Sequence, residues 1–489
     1  NVTKSVNILA TETISKVFSI NMTPSGETEE NQYGTLTETG SCGDNAFYDF
    51  YEETGTLVIR GEGEMTNWHI TSSVPWYNKC SKIKTVTVNN GITSIGGCSF
   101  WDCKNLTSIT IPDSVTSIGD CAFYGCSRLT SVTIPDSVTS IGEEAFASCH
   151  SLTSVTIPNS VTYIGHCAFN YCISLAKIEI GNNVTRIRSD AFSSTKYFRN
   201  EENWENGVLY IGNYLISASS SILCDYSIKE GTKAIADAAF EYCDNLTSIT
   251  IPDSVTSIGN HAFCNSDSLT SIEIPDSVTS IGEDAFYGCD GLASVIIGNS
   301  VTSIGDRAFS YCNSLTSITI PDSVTNIGNS AFASCDSLTN VTIGNSVTSI
   351  GNSVFNSCIS LTSVTIPDSV TSIGESAFYG CYRLTSITIP DSVTSIGNSA
   401  FAVCNKLTSI TIPDGITSIG NSVFNSCISL TNVTIGNSVT SIGNSAFSYC
   451  YSLTNVTIPN SVTSIGNEAF YHCYRLTCIT IPDSVTSIG

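Results

Sequence analysis

Apolar and polar positions recur along most of the chain with a period of 23 residues, which is marked by Phe. One copy of the repeat reads LTSVTIPDSVTSIGEEAFASC and runs from Leu129 to Cys149. Its apolar residues are Leu129, Val132, Ile134, Val138, Ile141, Ala145, Phe146 and Cys149. Internal similarity at a fixed period of about 20 to 50 residues is typical of stacked units, none of which can bury its apolar face alone. The pattern therefore predicts one elongated solenoid rather than several globular domains.

Each unit is predicted to contain two extended pieces and a compact turn. Alternate residues of 129–134 are apolar, which predicts a strand. Pro135 ends it, because Pro cannot donate a ladder hydrogen bond. Residues 138–141 are rich in β-branched side chains and are predicted to form a second short strand. Gly142 permits a sharp change of direction, and 143–149 is long enough for one or two helical turns. Stacked copies then form a parallel sheet on one face, with strands about 4.8 Å apart.

The repeat phrase L-x-x-[IV]-x-I-P-x-x-V-x-x-I-G-x-x-A-F-x-x-C resembles the 23-residue unit of BspA-like leucine-rich repeat proteins and covers about residues 106–489. Residues 41–90 contain SCGDNAFYDFYEETGTLVIRGEGEM and PWYNKCSKIKTVTV, and they resemble a segment found before such arrays in bacterial surface proteins. The resemblance implies a curved leucine-rich repeat solenoid, displayed on a microbial surface and used in adhesion or host-protein binding. The chain departs from the usual pattern where Pro-Asp-Ser or Gly-Asn-Ser replaces the Asn of the L-x-x-L-x-L-x-x-N motif.

The repeat pattern divides the chain into three parts. Residues 1–40 are polar and rich in Thr and Glu, which predicts a flexible leader. Residues 41–90 are predicted to cap the N-terminal end, and residues 91–489 form the repeat array. The sequence stops at Gly489 inside a repeat. Because solenoids need polar terminal caps, a C-terminal cap is expected beyond this residue.

The 23-residue period is interrupted between Phe192 and Phe240. These residues are 48 positions apart, which is two more than two periods. The irregular unit at residues 193–231 contains NGVLYIGNYLIS, which predicts a hairpin that turns at Gly212 and Asn213. Its aromatic side chains are candidates for a ligand-binding protrusion or, alternatively, for a plug over the interrupted core: Trp204, Tyr210 and Tyr214.

Charge and composition narrow the possible partners. The 489 residues carry a net charge of -24 and no basic run, which argues against nucleic acid and anionic membranes as partners. No run of 18 consecutive apolar residues is present, so no direct membrane insertion is expected. With 41% hydrophobic and only 13% charged residues, the composition fits a secreted or surface-displayed protein.

Fourteen of the 22 Cys residues form one column, three residues after each Phe. The column runs from Cys103 to Cys473, and Thr195 and Ser266 replace Cys in it. Stacked rungs place neighbouring Cβ atoms about 4.8 Å apart, further than the roughly 3.8 Å of a disulfide. We interpret the column as small buried thiols rather than as a metal or redox ladder. Two pairs stay open: Cys42 with Cys80, which could bridge the cap, and Cys98 with Cys121, one period apart.

No residue spacing indicates a catalytic or metal centre. The five His residues lack metal-ligand spacing, and His166 beside Cys167 is the only suggestive pair. Ser is abundant, but no Gly-x-Ser-x-Gly elbow is present. The Asp residues that follow Pro, such as Asp136, form a column that could collect Ca²⁺. Asn residues such as Asn159 replace them in other rungs, as turn chemistry alone allows. We expect no enzyme activity, no metal and no cofactor.

Two surfaces are candidates for binding a partner. Thr130, Ser131 and Thr133 face solvent in the copy above, and their equivalents form rows of hydroxyl groups suited to glycan or protein. Tyr and Arg are enriched at interface hot spots. They occur together after the predicted helical turn at Tyr124, Arg128, Tyr382, Arg383, Tyr474 and Arg475.

The leading hypothesis is a non-catalytic, adhesin-like protein of the cell surface or extracellular space. It would recognise host or microbial macromolecules, an extracellular protein or glycan, through the repeat surface. The alternative is a carbohydrate-binding or spacer module of a larger secreted enzyme or complex. The sequence leaves the oligomeric state open.

Overall fold

The structure is a computed structural model that describes residues 32–489. Residues 1–31 of the predicted leader lie outside the described residues. The first strand, Glu38–Ser41, pairs antiparallel with Ala46–Tyr51. The boundary predicted between leader and cap at residue 40 therefore falls inside a strand.

Most rungs contribute one strand to each of two parallel ladders. Residues 23 positions apart are paired: Val155 lies beside Ile178 in the first ladder, and Ile118 lies beside Ile141 in the second. The first-ladder strands are Thr85–Val88, Ser108–Thr110, Ser154–Ile157, Lys177–Ile180, Asp225–Ser227, Ser248–Thr250, Ser271–Ile274, Ser294–Ile297, Ser317–Thr319, Asn340–Thr342, Ser363–Thr365, Ser409–Ile412, Asn432–Ile435 and Asn455–Thr457. The second-ladder strands are Gly63–Glu64, Ile92–Ile95, Ser117–Ile118, Ser140–Ile141, Tyr163–Ile164, Arg186–Ile187, Ala234–Ile235, Ser257–Ile258, Ser280–Ile281, Ser303–Ile304, Asn326–Ile327, Ser349–Ile350, Ser372–Ile373, Ser395–Ile396, Ser418–Ile419, Ser441–Ile442, Ser464–Ile465 and Ser487–Ile488. The predicted solenoid with parallel sheets is confirmed.

The side-chain alternation of the first strand is also as predicted. In the copy at residues 129–134, Val132 and Ile134 are buried whereas Ser131 and Thr133 are exposed. This copy differs from most others because its residues do not pair as a regular strand. Burial of the apolar positions therefore persists even where the ladder is interrupted.

The predicted helical turn at residues 143–149 is wrong. Glu144 and Ser148 have left-handed backbone angles, with φ of 52° and 60°, so the segment forms consecutive tight turns. The N–H of Glu144 donates to the His166 carbonyl at 2.7 Å, and the N–H of Phe146 donates to the next rung in the same way at 2.8 Å. These bonds to the following rung satisfy the backbone groups that a helix would have paired within the segment.

The Phe side chains form stacks through the core on each side of the irregular unit. The rings of Phe123 and Phe146 are fully buried, with centroids 5.0 Å apart and planes 6° apart. Burying such a side chain contributes roughly 1.5 to 3 kcal/mol, so the stack is a main source of cohesion between rungs. At the N-terminal end, Trp76 stacks on Phe100 at 5.9 Å, and its indole N–H donates to the Ser99 carbonyl at 2.7 Å.

The N-terminal cap continues the first ladder. Its strand Thr56–Gly61 pairs in parallel with Thr85–Val88, which in turn pairs with Ser108–Thr110 of the array. Cys42 and Cys80, whose bridging was left open, are both unbonded. The other cap elements are the strands Glu38–Ser41 and Ala46–Tyr51 and the 3₁₀-helices Thr71–Ser73 and Tyr77–Lys79.

The irregular unit contains the predicted hairpin. Val208–Ile211 pairs antiparallel with Tyr214–Ala218, and Gly212 takes a φ of 57° at the turn. The second hairpin strand then pairs in parallel with Ala234–Ile235, which returns the chain to the second ladder. The unit also contains the α-helix Lys196–Arg199, the 3₁₀-helix Glu201–Asn203 and the strand Trp204–Glu205.

The Cys column is unbonded and almost entirely buried, as predicted. Most of its thiols join neighbouring rungs, because they donate to the Phe carbonyl of the preceding rung. Cys149 Sγ, for example, lies 3.3 Å from the Phe123 oxygen. Ser266 replaces Cys in this column, and its hydroxyl donates to the Phe240 carbonyl at 2.7 Å. The position therefore takes a small side chain with one hydrogen-bond donor.

Candidate functional site

The exposed Thr, Ser and Asn side chains of the first-ladder segments form a surface that we call the hydroxyl face, represented above by Thr130, Ser131 and Thr133. Many of its Thr hydroxyls already donate within the protein. Thr270 Oγ1, for example, donates to the Thr247 carbonyl at 3.1 Å. The oxygens of these hydroxyls remain as acceptors, so the face offers a partner more acceptors than donors.

One part of the hydroxyl face departs from this uniform composition. An open groove of about 850 Å³ is lined by Glu273, Asp276 and Ile296, among other residues. Ile296 stands where most rungs carry Thr and is 57% exposed. The groove therefore combines carboxylates with an apolar contact, but it is open and shallow.

The predicted Tyr and Arg residues differ in exposure. Tyr124 is half-buried, because its ring stacks on that of Trp101 with centroids 4.1 Å apart. Tyr382 is 45% exposed. The three arginines are all exposed: Arg128, Arg383 and Arg475.

A group of exposed and half-buried aromatic side chains lies on the last two complete rungs, and we call it the tyrosine patch: Tyr449, Tyr451, Tyr471, His472 and Tyr474. The rings of Tyr451 and Tyr474 stack with centroids 5.5 Å apart, and Tyr449 meets the ring of Tyr471 edge-on at 5.6 Å. Tyr474 is 71% exposed. Sequence reasoning found Tyr471 and Tyr474 but missed Tyr449 and Tyr451, which the 23-residue period brings beside them.

Burial of Tyr210 and Tyr214 favours the plug alternative over the ligand-binding protrusion. Tyr214 is 1% exposed, and its hydroxyl donates to the Gly181 carbonyl at 2.7 Å. Tyr210 is 7% exposed and shares a hydrogen bond of 3.0 Å with the Tyr226 hydroxyl. Trp204 is half-buried, and its indole N–H donates to a backbone carbonyl at 2.7 Å. These side chains fill the core where the Phe stack is interrupted, which is the plug interpretation.

An Asp that follows Pro binds the next rung where that rung carries Gly-Asn at this place. Asp276 Oδ1 accepts from the N–H of Asn299 at 2.6 Å, and Asp322 Oδ1 accepts from the N–H of Asn345 at 2.7 Å. A carboxylate engaged in this way stabilises a turn of the neighbouring rung. These contacts support the turn interpretation of the Asp column.

Three side chains of metal-ligand type meet at the edge of two adjacent rungs. His166 Nε2 lies 3.3 Å from Cys167 Sγ, and a ring nitrogen of His166, the Cys167 sulfur and a carboxylate oxygen of Asp190 all lie within 4.8 Å of one another. The pair was noticed in the sequence, but Asp190 was missed. Asp190 lies one full period after Cys167, so only the repeat spacing could have joined them.

None of the helices among the described residues has the length and hydropathy of a membrane span.

Comparison with known proteins gives a family match over most of the chain. The profile described as "BspA type Leucine rich repeat region (6 copies)" matches residues 73–199, 143–270, 199–290, 256–385 and 371–489. No curated protein matches. Among solved structures, a leucine-rich repeat protein from Bacteroides ovatus is 26% identical, with 91% of this chain and 98% of that chain covered and a TM-score of 0.40.

Two further solved structures are similar over most of their length. A leucine rich cell surface protein from Faecalibacterium prausnitzii is 26% identical, with 82% of this chain and 95% of that chain covered and a TM-score of 0.30. The pneumococcal vaccine antigen PcpA is 16% identical, with 93% of this chain and 98% of that chain covered and a TM-score of 0.31.

Proposed function

Because the chain belongs to the BspA-type leucine-rich repeat family, we propose that it is a non-catalytic, adhesin-like binding protein of the cell surface or extracellular space. Its partner is an extracellular protein, which it contacts through the tyrosine patch. The observation that carries this proposal is the clustering of four Tyr side chains on adjacent rungs. Tyr supplies a large contact area at a small cost in side-chain entropy, and it is enriched at interface hot spots.

The position of the exposed Tyr residues favours an extended partner. Tyr382, Tyr451 and Tyr474 occupy the same position of the repeat, so they lie along one line of the solenoid. Tyr382 is four rungs from Tyr474, which corresponds to roughly 19 Å at the strand spacing of about 4.8 Å. Contacts spaced along a rigid array raise the overall affinity of a partner that spans them.

Binding of the purified chain to a panel of extracellular matrix proteins and glycans tests this proposal. In the patch variant, Tyr451→Asn is combined with Tyr474→Asn, since Asn405 already occupies this repeat position. We expect the variant to bind its protein partner at least about 30-fold more weakly, which corresponds to the 2 kcal/mol of a hot spot.

The matched control combines Tyr171→Ser with Tyr242→Ser. Both tyrosines are exposed but lie at a different repeat position, which Ser148 occupies in its own rung. The control should bind as the parent does. Equal losses in the two variants, or no loss in either, contradict a role for the tyrosine patch.

The groove on the hydroxyl face favours the second candidate, a carbohydrate-binding module of a larger secreted enzyme or complex. Carboxylates and acceptor oxygens beside an apolar side chain suit sugar hydroxyls and the faces of sugar rings. Glycan binding that Glu273→Gln abolishes, and that the patch variant retains, would favour this candidate over the first.

A further inference from the structure

The cluster formed by His166, Cys167 and Asp190 has the features of a prepared metal site. His166 Nδ1 lies 2.9 Å from the Ser189 carbonyl oxygen. The Ser189 hydroxyl also lies 2.9 Å from Nδ1, but a carbonyl can only accept a hydrogen bond, so a proton on Nδ1 satisfies the carbonyl and leaves the lone pair on Nε2. Nε2 is the nitrogen that faces Cys167 Sγ at 3.3 Å. Metal-binding His residues are commonly fixed in this way by a backbone carbonyl.

The other two side chains are also held by neighbouring groups. Asn170 Nδ2 donates to Cys167 Sγ at 3.1 Å, so the sulfur acts as an acceptor. The Ser193 hydroxyl donates to one oxygen of Asp190 at 2.5 Å. Asn170 Oδ1 is buried and has no hydrogen-bond partner among the described residues. The cluster thus contains one unused buried acceptor beside three metal-ligand groups.

The repeat positions of His166 and Cys167 each carry an uncharged residue in most other rungs of the array. The repeat position of His166 is occupied by Asn in most rungs of the second half, and that of Cys167 by Ser in six consecutive rungs. The backbone is the same in both settings, with φ of 54° at Cys167 and 56° at Ser330. Folding therefore does not require His, Cys and Asp at these positions. The corresponding uncharged residues are Asn329, Asn352, Asn398, Asn421, Asn444 and Asn467 for His166, and Ser330, Ser353, Ser376, Ser399, Ser422 and Ser445 for Cys167.

We propose that His166, Cys167 and Asp190 form a binding site for Zn²⁺. Imidazole, thiolate and carboxylate are zinc ligands, whereas Ca²⁺ and Mg²⁺ take oxygen ligands. Zinc bonds of about 2.0 to 2.3 Å require ligand atoms roughly 3.3 to 3.8 Å apart. The sulfur and nitrogen already lie at such a distance, and the exposed Asp190 carboxylate would shift by about 1 Å from its contact with Ser193 to join them.

The charges and the fourth position also suit zinc. A thiolate and a carboxylate together balance the two charges of the ion. Three protein ligands leave the fourth tetrahedral position to water, and Asn170 Oδ1 is the nearby acceptor for such a water. This site goes beyond the proposed binding function and is independent of the tyrosine patch.

Zinc binding is tested in the full chain carrying Cys224→Ser and Cys478→Ser, which removes the two exposed thiols among the described residues. Zn²⁺ affinity is measured by competition with a chromogenic chelator, and Co²⁺ serves as a spectroscopic probe of sulfur ligation. We expect one equivalent of Zn²⁺ and a thiolate-to-cobalt charge-transfer band. Cys167→Ser should abolish the band, and His166→Asn and Asp190→Ser should each weaken Zn²⁺ binding at least about ten-fold.

The matched control is Cys121→Ser, two rungs earlier at the same repeat position. Cys121 is partly buried and contacts Glu144 at 3.7 Å, but no His adjoins it. Its substitution should leave the Zn²⁺ affinity unchanged. Since Ser and Asn occupy these positions in other rungs, thermal unfolding without metal should be similar in all variants, and added Zn²⁺ should stabilise only those that retain the site.

Three results would overturn the proposal. The first is the absence of stoichiometric Zn²⁺ binding in the background protein. The second is an affinity unaffected by Cys167→Ser. The third is a loss in Cys121→Ser as large as that in Cys167→Ser, which would place the metal at the Cys98 and Cys121 pair instead.

Discussion

The Cys column shows how a single residue position joins neighbouring rungs. Cys358 is fully buried, and its thiol donates to the Phe332 carbonyl at 3.1 Å. Burial raises the pKa of Cys358 to about 12, because the thiolate would lose its hydration. Thr195 and Ser266 occupy the same column and also carry a donor on a small side chain. The column is therefore maintained by size and neutrality rather than by thiol chemistry.

We expect Cys358→Ser to lower the free energy of unfolding by about 1 kcal/mol at pH 7, because Ser keeps the donor but is more polar. In the unfolded chain the Cys pKa is roughly 8.5. Between that value and about 12, folded Cys358 keeps a proton that the unfolded chain has released, so its contribution to stability falls as pH rises. Ser does not lose stability in this way, so the difference in the free energy of unfolding between the parent and the variant should shrink at pH 10. Urea unfolding at pH 7 and pH 10 measures this difference.

The control for this prediction is Cys224→Ser, because Cys224 is exposed. That variant should show the same pH dependence of stability as the parent protein between pH 7 and pH 10. A deficit in Cys358→Ser that is equal at the two pH values would show that the buried thiol does not control the alkaline loss.

At the scale of the elements, each rung depends on its neighbours. The second-ladder strands of the regular rungs span only two residues, as in Ser303–Ile304. Such short strands are not stable alone. They persist because each rung is also joined to the next through the tight turns and the Phe stack. In a stacked array, stability is a sum of such nearest-neighbour contacts.

Phe309→Ala should lower the free energy of unfolding by about 3 to 5 kcal/mol, because it leaves a cavity in the stack. The Phe309 ring lies 5.1 Å from that of Phe286 and 5.4 Å from that of Phe332. The loss of protection should be greatest in the rungs of these two residues, as measured by hydrogen exchange. Tyr311→Ala, an exposed site in the same rung, should change stability by no more than about 0.5 kcal/mol. An equal loss of protection against hydrogen exchange in every rung of the array would contradict nearest-neighbour stacking.

At the scale of the whole molecule, net charge opposes the compact state. The chain has 43 acidic and 19 basic residues, so carboxylates outnumber basic groups by more than two to one. Asp267 shows the local effect: burial and then the neighbouring Asp290 and Asp244 raise its pKa. Asn313 occupies the same repeat position and donates to Asp290 at 2.8 Å. Repulsion along such columns is screened by salt.

Raising NaCl from about 10 to 200 mM should therefore stabilise the protein on the order of 1 kcal/mol, which corresponds to about 2 °C in Tm. Scanning calorimetry at a series of salt concentrations measures this increase. Asp267→Asn should raise Tm at low salt and reduce the salt dependence, since one repulsive charge is removed. A Tm that falls with added salt would mean that the ion pairs outweigh the net charge.

The sequence by itself determined the solenoid. Side chains such as Leu129 and Phe146 recur at one spacing, and because no unit can bury them alone, stacking is the only way to remove all of them from water. The same reasoning predicted the buried Cys column and the hairpin about Gly212, because a local turn preference and a repeated apolar position suffice for both.

Only the tertiary structure decided features that depend on the next rung. The segment at 143–149 forms tight turns rather than a helix, because carbonyls 22 residues further along accept its N–H groups. Tyr214 is buried, since the hairpin folds over the gap in the Phe stack. Asp190 lies beside Cys167 because the two residues occupy the same position in stacked neighbouring rungs. Each contact joins residues about one or more periods apart, so local sequence patterns carry no signal for it.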